Sequence, residues 1–273
     1  MSLITLTSDI GHQDYLVSAI KGQLLQLDPG FVIIDVSHGI TPFNYPQAAY
    51  ICSSAFKNFP AHSFHIVLVN LFDKKPERLL LAFHNDQYIL CADNGLITMI
   101  CGGKPELVIG LPLNNGTSAK KDTLYCIKIM GQAVKRLQDG ERISDIGEED
   151  IEIEVKNPMR PRITENFIEG QIIFIDHFEN VVVNITEEEF EQTRKGRDFQ
   201  IVFRYADKIE KISEHYSSVP EGEKLALFNS AGYLELAINK GNAAGLLGLS
   251  GFTEKSQMAQ NRLIYQHVKV DFF

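Results

Sequence analysis

Hydrophobic positions in the first half of the chain follow two alternating patterns. Continuous apolar runs predict buried strands at Leu3–Leu6, Phe31–Val36, Phe64–Val69 and Tyr88–Cys91. Helical spacing of apolar residues predicts helices ending at Leu27 and covering Tyr45–Asn58 and Thr123–Gln138. Strands that alternate with helices are typical of an α/β fold, in which a mostly parallel sheet is flanked by helices on both faces.

The pattern changes after Val155. The segment Asn157–Arg162 contains two prolines and two arginines, which suit neither element and indicate a linker. Beyond it, short β-rich runs predict strands at Gln171–Ile175, Val181–Ile185, Phe199–Tyr205, Leu225–Phe228, Tyr233–Ile238 and Val268–Phe272. We therefore expect an N-terminal α/β domain at 1–156, a linker at 157–166 and a smaller, mainly antiparallel, β-barrel-like domain at 167–273.

Composition narrows the classes of partner. The 273 residues are 44% hydrophobic and carry a net charge of -9, which argues against binding to nucleic acid. The chain has no apolar run of membrane-spanning length and no signal-peptide pattern at its N-terminus, so we expect a cytoplasmic protein without a membrane partner. The four cysteines form no Cys-x-x-Cys pair, which favours buried free thiols over a zinc site or disulfides. We expect no metal and no cofactor.

The turn after the first predicted strand carries two carboxylates, Asp9 and Asp14. In open α/β sheets, ligands bind at the carboxyl ends of the strands. This turn lacks the glycine spacing of a phosphate cradle, and its negative charge favours hydroxyls or a cation. A carboxylate such as Asp9 can accept hydrogen bonds from both hydroxyls of a vicinal diol, and Asp14 can receive an ammonium group. The alternatives are a turn-forming role for Asp9 and a helix N-cap role for Asp14.

Three further loops carry candidate chemistry. In Ile175–Asn180, Asn180 can read a base edge and Phe178 can stack on a ring, although Asp and Asn also simply shape turns. In Ser37–Phe43, the aromatic Phe43 can stack on a flat ligand or plug the core beneath its loop. The segment Asn229–Tyr233 can hold a carboxylate or be a plain turn.

Together these motifs resemble one family nearly end to end, the S-adenosylmethionine (SAM) hydroxide adenosyltransferases and their relatives, the fluorinases and chlorinases. The matching residues are Ser8–Gly11, Asp14, Lys21-Gly22, Asp35–Ile40, Phe43, Asp93–Leu96, Ile175–Asn180, Asn184, Asn229–Leu234, Ala237, Asn239 and Gly241–Ala244. The resemblance implies SAM as the ligand. It also implies a homotrimer, or a pair of trimers, with sites formed between the first domain of one subunit and the second domain of its neighbour.

The resemblance also implies a role for individual residues. Asp9 would hold the ribose diol, and Phe43 would lie beside the ribose. The methionine ammonium and carboxylate would be held by Asp14, Asp176 and Ser230. The adenine would be framed by Phe178, Asn180, Tyr216 and the segment around Asn239.

The sequence departs from the family in its catalytic set. Hydrolases of the family use an Asp–Arg–His set to position and activate water or hydroxide. Arg78 fits this set, but Asn70 replaces the Asp and Tyr125 replaces the His. An amide does not titrate, and a phenol has an ordinary pKa near 10, so neither replacement is a base near neutral pH. We hypothesise that Asp73 supplies the missing carboxylate.

Two functional interpretations follow. In the first, the protein is an enzyme that splits SAM into adenosine and methionine by attack of water or hydroxide at the ribose 5′ carbon. In the second, the catalytic set has decayed and the protein binds SAM or adenosine without turnover. Halide transfer ranks lower for two reasons. The Cys126 thiol is a poor substitute for a hydroxyl that would donate a hydrogen bond to the halide. In addition, only a short stretch separates Arg78 from Asp93, where fluorinases carry a long insertion.

Overall fold

The computed structural model describes residues 2–75, 77–113, 120–204, 207–247, 249 and 267–273. The chain divides into two compact units, Met1–Pro158 and Met159–Phe273. Each unit has its own sheet and apolar core, and each is described separately below.

The first unit is built on a six-stranded sheet with the order β2-β1-β3-β5-β4-β6. Its strands are β1 (Leu3–Ser8), β2 (Val32–Ser37), β3 (Phe64–Leu68), β4 (Arg78–His84), β5 (Gln87–Ala92) and β6 (Leu107–Pro112). The pairs β1–β2, β1–β3 and β3–β5 are parallel, whereas β4 runs antiparallel to both β5 and β6. This confirms the mostly parallel sheet that the sequence predicted.

Helices cover both faces of this sheet. They are α1 (Leu16–Leu27), α2 (Tyr45–Phe56), α3 (Leu96–Ile100) and α4 (Thr123–Gln138). One apolar cluster includes residues of α1 and α4, and a second cluster on the opposite side includes residues of α2 and α3. Side-chain oxygens of Asn44 and Asp122 cap α2 and α4 by accepting hydrogen bonds from Gln47 N and Tyr125 N.

The strands β4 and β6 and the helix α3 were not predicted from the sequence. The strand β4 contains the unbroken apolar run Leu79–Phe83, which lacks the polar alternation of a half-buried strand. A run of this kind is compatible with either a buried helix segment or a buried strand, and only its pairing between β5 and β6 decides the matter.

The second unit contains an antiparallel sheet with the order β11-β10-β14-β8-β9-β13-β12, and β7 pairs with β8. Its strands are β7 (Arg162–Ile163), β8 (Phe167–Ile175), β9 (Val181–Thr186), β10 (Phe199–Arg204), β11 (Asp207–Ile209), β12 (Lys224–Phe228), β13 (Tyr233–Ile238) and β14 (His267–Phe272). A bridge between Ile212, just after β11, and Ala226 of β12 brings the two sheet edges together. The barrel-like prediction is therefore confirmed. The short strand β7 lies within the segment predicted as a linker.

The second unit also contains the helix α5 (Glu187–Arg194), which was not predicted from the sequence, and a shorter helix, α6 (Ala243–Leu246). A capping box begins α5, because Thr186 Oγ1 accepts from Glu189 N while Glu189 Oε2 accepts from Thr186 N. The Thr-x-x-Glu spacing is the sequence signal that identifies this helix start.

The helices and the cysteines were the subject of expectations drawn from composition. No helix in the described ranges combines the length and the apolar character that a membrane crossing requires. All four cysteines are free thiols, and Cys52, Cys91 and Cys126 are buried.

Candidate functional site

A cavity of about 270 Å³ lies in the first unit, where the loops after β1, β2 and β3 meet. The carboxyl ends of these parallel strands lie at the same edge of the sheet, as expected for a ligand site of an open α/β sheet. The cavity is lined by Asp9, Ile10, Pro42, Phe43, Leu68, Asn70, Leu71, Phe72, Asp73 and Thr123. Four residues selected from the sequence, Asp9, Phe43, Asn70 and Asp73, are therefore brought together.

Hydrogen bonds through Asn70 hold three loops of the cavity in place. Asp9 Oδ2 accepts from Asn70 N at 2.8 Å, and Asn70 Oδ1 accepts from Phe43 N at 2.8 Å. Asn70 and Phe43 both have positive φ, 49° and 64°, so this bonding holds two non-glycine residues in an uncommon conformation. Phe43 is 65% exposed as a residue, which does not fit the alternative that it plugs the core.

Asp9 is a half-buried carboxylate. Burial raises its pKa above the ordinary carboxyl range, and the hydrogen bond from Asn70 N opposes that shift. The Asp9 carboxylate bonds locally to its own backbone N–H, as an Asx turn would, and also to Asn70 on a different strand-end loop. A carboxylate held in this way at a cavity wall is preorganised to accept hydrogen bonds from a ligand.

A hydrogen-bond network next to Asp9, with buried Ser8 and His38 and the exposed Asp35, was not predicted from the sequence. Ser8 Oγ lies 2.6 Å from His38 Nδ1, and His38 Nε2 lies 3.1 Å from Asp35 Oδ1. Gly11 N donates to His38 O at 2.7 Å, which ties the Asp9 turn to the loop after β2. Ser8 is fully buried, so this Ser–His–Asp arrangement does not present a nucleophile to a substrate and instead supports the turn.

Asp73 lies on the wall of the same cavity as Asn70. Its backbone N donates to Asn70 O at 3.1 Å, and its Oδ2 accepts from the Tyr45 hydroxyl at 3.0 Å. Burial and the neighbouring Asp73 carboxylate raise the pKa of Tyr45 to about 12, so the phenol stays protonated and donates to Asp73. The structure thus brings the Asp73 carboxylate to the same cavity wall as Asn70.

Arg78 is engaged in an ion pair. Its Nε and NH2 lie 3.0 and 2.9 Å from Asp93 Oδ2, and its NH2 also donates to Glu152 O. Asp93 Oδ1 in turn accepts from Glu154 N at 2.8 Å. These bonds tie the start of β4 to the end of β5 and to the segment around Glu152. Arg78 is not among the residues that line the cavity in the described part of the unit.

Tyr125 lies in the first turn of α4 and packs against the core. Its hydroxyl donates to Leu113 O at 3.2 Å. The neighbouring Cys126 is fully buried, and burial raises the pKa of its thiol to about 11, so it is an inert thiol. Within the described residues, Thr123 is the α4 residue that reaches the cavity wall.

Asp14 precedes α1 and is exposed. Its Oδ1 accepts from Leu16 N at 2.9 Å, at the first turn of the helix. This bond resembles the predicted N-cap role, although Tyr15 occupies the N-cap position itself. The described cavity wall does not include Asp14.

In the second unit, Asp176 organises the turn between β8 and β9. Its Oδ1 accepts from Phe178 N at 2.9 Å and Asn180 N at 2.8 Å, and its Oδ2 accepts from Asn180 Nδ2 at 3.0 Å. Asp176 therefore shapes the turn, as the turn-shaping alternative expects. The turn leaves Phe178 75% exposed as a residue, whereas Asn180 is buried.

Tyr216, Ser230 and Asn239 lie on separate loops of the same unit. Ser230 is exposed in a turn closed by a hydrogen bond from Gly232 N to Asn229 O at 2.8 Å. Asn239 Nδ2 donates to Val219 O at 2.8 Å and holds the neighbouring loop. The Tyr216 hydroxyl donates at 2.7 Å to Glu235, a buried carboxylate that the sequence analysis did not select.

Comparison with known proteins places this architecture in a family. The sequence models of the SAM hydroxide adenosyltransferase N-terminal and C-terminal domains match residues 4–147 and 170–254. Two relatives, from Methanocaldococcus jannaschii and Thermus thermophilus, are both named (R)-S-adenosyl-L-methionine hydrolase. The first is 28% identical, covering 93% of this chain and 95% of the relative; the second is 24% identical, covering 91% and 96%.

Solved structures share the fold. A conserved protein from Thermotoga maritima described as uncharacterized has a TM-score of 0.80 at 21% identity, covering 98% of this chain and 99% of that one. A conserved hypothetical protein from Thermus thermophilus has a TM-score of 0.71 at 21% identity and covers both chains fully. The fold and the site thus define a protein of two units. The first is an α/β unit that contains a cavity lined by carboxylates, and the second is a barrel-like β unit. The chain belongs to the SAM hydroxide adenosyltransferase family.

Proposed function

We propose that the protein cleaves SAM into adenosine and methionine by attack of water at the ribose 5′ carbon. The observation that carries this proposal is the cavity lined by Asp9, Phe43 and Asp73 in a chain whose full-length relatives are named SAM hydrolases. These relatives favour hydrolysis over both passive binding and halide transfer. Their names specify the (R) configuration at sulfur, and we propose the same epimer as the substrate here.

The chemistry requires little from the protein beyond positioning. The water oxygen forms a bond to C5′ in line with the departing sulfur, and the electron pair of the C5′–S bond stays on sulfur, which leaves as a neutral thioether. No general acid and no cofactor are needed for this step. Asp9 would hold the ribose diol and Phe43 would lie beside the ribose, which fixes C5′ relative to the water.

We propose that Asp73 accepts the proton that the attacking water loses. The carboxylate lies on the cavity wall, and the Tyr45 hydroxyl fixes one of its oxygens, so the second oxygen is available to bind water. Asn70 would position Asp9 and Phe43 through its backbone N–H and its side-chain oxygen. Arg78 and Tyr125, which the family resemblance selected, would act on the site through the backbone that they support.

We further propose that Asp14 of the first unit and residues of the second unit complete the ligand site. Asp14, Asp176 and Ser230 would hold the methionine end, while Phe178, Asn180, Tyr216 and Asn239 would frame the adenine. The cavity of about 270 Å³ is close to the roughly 300 Å³ at which ligand pockets usually begin. We propose the homotrimer that the family resemblance implies, in which each site is shared by two subunits. We propose a cytoplasmic location, where SAM is available.

Chromatography of SAM incubated with the pure protein tests this proposal. We expect adenosine and methionine in equal amounts from the (R) epimer, with or without chloride. Asp73→Asn should lower the rate at least a hundredfold, because the amide cannot take the proton. The matched control Asp86→Asn changes an exposed carboxylate in the β4–β5 turn and should leave the rate unchanged.

Other outcomes would separate the alternatives. A 5′-chloroadenosine product would support halide transfer. Thermal stabilisation by SAM without any product would support passive binding. An Asp73→Asn variant with the wild-type rate would refute the role of Asp73 as the base.

A further inference from the structure

Glu235 is a buried carboxylate in the middle of β13. It is only 3% exposed and pairs with Val182 of β9 on one side and Leu227 of β12 on the other. Burial of an ionisable carboxyl group is unfavourable unless hydrogen bonds compensate it, and here burial raises the pKa of Glu235 while hydrogen bonds from its neighbours oppose that shift. None of the roles proposed above uses this side chain.

The contacts of Glu235 lead to three of the segments proposed to hold the adenine and methionine groups. Its Oε1 accepts from the Tyr216 hydroxyl at 2.7 Å, and its Oε2 accepts from Asn229 Nδ2 at 3.2 Å. The Asn180 side chain also hydrogen-bonds towards this carboxyl, and the Asp176 carboxylate lies close enough to act on it electrostatically. One carboxyl group therefore connects the Asp176–Asn180 turn, the Tyr216 segment and the Asn229–Tyr233 turn.

These contacts fix orientation as well as position. Asn229 Oδ1 accepts from Ala231 N at 3.0 Å and Tyr233 N at 3.2 Å, so its Nδ2 must face Glu235. This holds the turn that presents Ser230. Tyr216 is anchored by its hydroxyl while 44% of the residue remains exposed, so its ring is held in one orientation at the surface.

We propose that Glu235 is a positioning residue that preorganises the adenosyl-binding loops of the second unit. The inference rests on the proposed function, because it assumes that these loops hold SAM. Glu235 acts through Tyr216, Asn229 and Asn180 and does not itself touch the ligand. Its role is that of a shared hydrogen-bond acceptor. The affinity for SAM therefore depends on the positions of its two oxygens and not on its charge.

Three variants separate geometry from charge. Glu235→Met keeps the length of the side chain and removes both acceptors, so we expect the Kd for SAM to rise about tenfold while kcat changes less than threefold. Glu235→Gln removes the charge but can accept from Asn229 and donate to the Tyr216 oxygen, so its Kd should stay within threefold of wild type. Leu234→Ala, on the opposite face of β13, should lower Tm without changing Kd.

The outcomes are distinguishable. An unchanged Kd for Glu235→Met overturns the proposal. An equal loss of SAM affinity in Glu235→Met and Glu235→Gln would show that the charge of Glu235 matters, and it would also overturn the positioning role. If Glu235→Met does not fold, Tyr216→Phe removes the other end of the shortest bond; a Kd at least threefold weaker supports the proposal and an unchanged Kd overturns it. A wild-type protein that neither binds nor cleaves SAM refutes the proposed function, and the Glu235 proposal falls with it.

Discussion

Asp9→Asn tests the central assignment with little change in shape. Asp9 Oδ2 accepts from Asn70 N, and an asparagine oxygen can keep that bond. The new amide nitrogen is a hydrogen-bond donor. It takes the place of one carboxylate oxygen, so the ribose diol loses one acceptor. A hydrogen bond to a charged group contributes about 1.5–3 kcal/mol. We therefore expect the Kd for SAM to rise about 10- to 150-fold, since each 1.4 kcal/mol is tenfold.

The same substitution should not destabilise the fold at neutral pH. The folded-state pKa of Asp9 is raised by burial, so the ionised form costs stability and a proton on Asp9 restores it. That restoration is complete below the unfolded-state pKa and is lost as the pH rises through the raised folded-state pKa. Asparagine does not titrate, so Asp9→Asn should equal or exceed wild-type stability at pH 7. This advantage should shrink as the pH falls through the folded-state pKa.

Isothermal titration calorimetry and urea denaturation at several pH values measure both effects. Asp86→Asn is the matched control for each assay. Asp9→Ala also removes the acceptor for Asn70 N, so it should lose about 1–3 kcal/mol of stability as well as binding. Wild-type affinity in Asp9→Asn would refute the diol assignment. A clear loss of stability at pH 7 would refute the argument from desolvation.

Two further predictions concern residues outside the cavity. Tyr125→Phe removes the hydrogen bond to Leu113 O, so it should lower the free energy of unfolding by about 0.5–1.5 kcal/mol. Adenosine release should stay within threefold of wild type, and a hundredfold loss of rate would make Tyr125 catalytic. Thr186→Ala breaks the capping box of α5 and should cost about 0.5–2 kcal/mol in urea denaturation without changing the Kd for SAM; unchanged stability would show that the cap contributes nothing.

The sequence was most informative where a local pattern has one structural solution. The α4 helix was predicted with the bounds Thr123–Gln138 that the structure shows, because sixteen residues of helical periodicity admit no competing period. Six strands of the second unit were found because turn residues separate short β-rich runs, whereas the short strands β7 and β11 were missed. Asp9 and Phe43 were selected because loops after parallel strands meet at one sheet edge.

Other features depended on contacts between residues distant in the chain. The direction of β4 is set by its pairing with β5 and β6, which the apolar run Leu79–Phe83 does not encode. The engagement of Arg78 with Asp93 likewise appears only once β4 and β5 lie side by side. Glu235 has no sequence signature, since a single acidic residue in a strand is usually solvent-exposed.

The sequence by itself determined the two-part architecture, the family and the residue types offered to a ligand. Periodicity, turn chemistry and ordered motifs are local properties of the chain, so they can be recognised without knowledge of the packing. The tertiary structure alone decided which polar groups meet. It brought Asp73 to the wall that Asn70 shares, turned the Arg78 guanidinium towards Asp93, and buried Glu235 beneath three loops. Hydrogen bonding and desolvation act over a few ångströms in space, and separation along the chain does not report that distance.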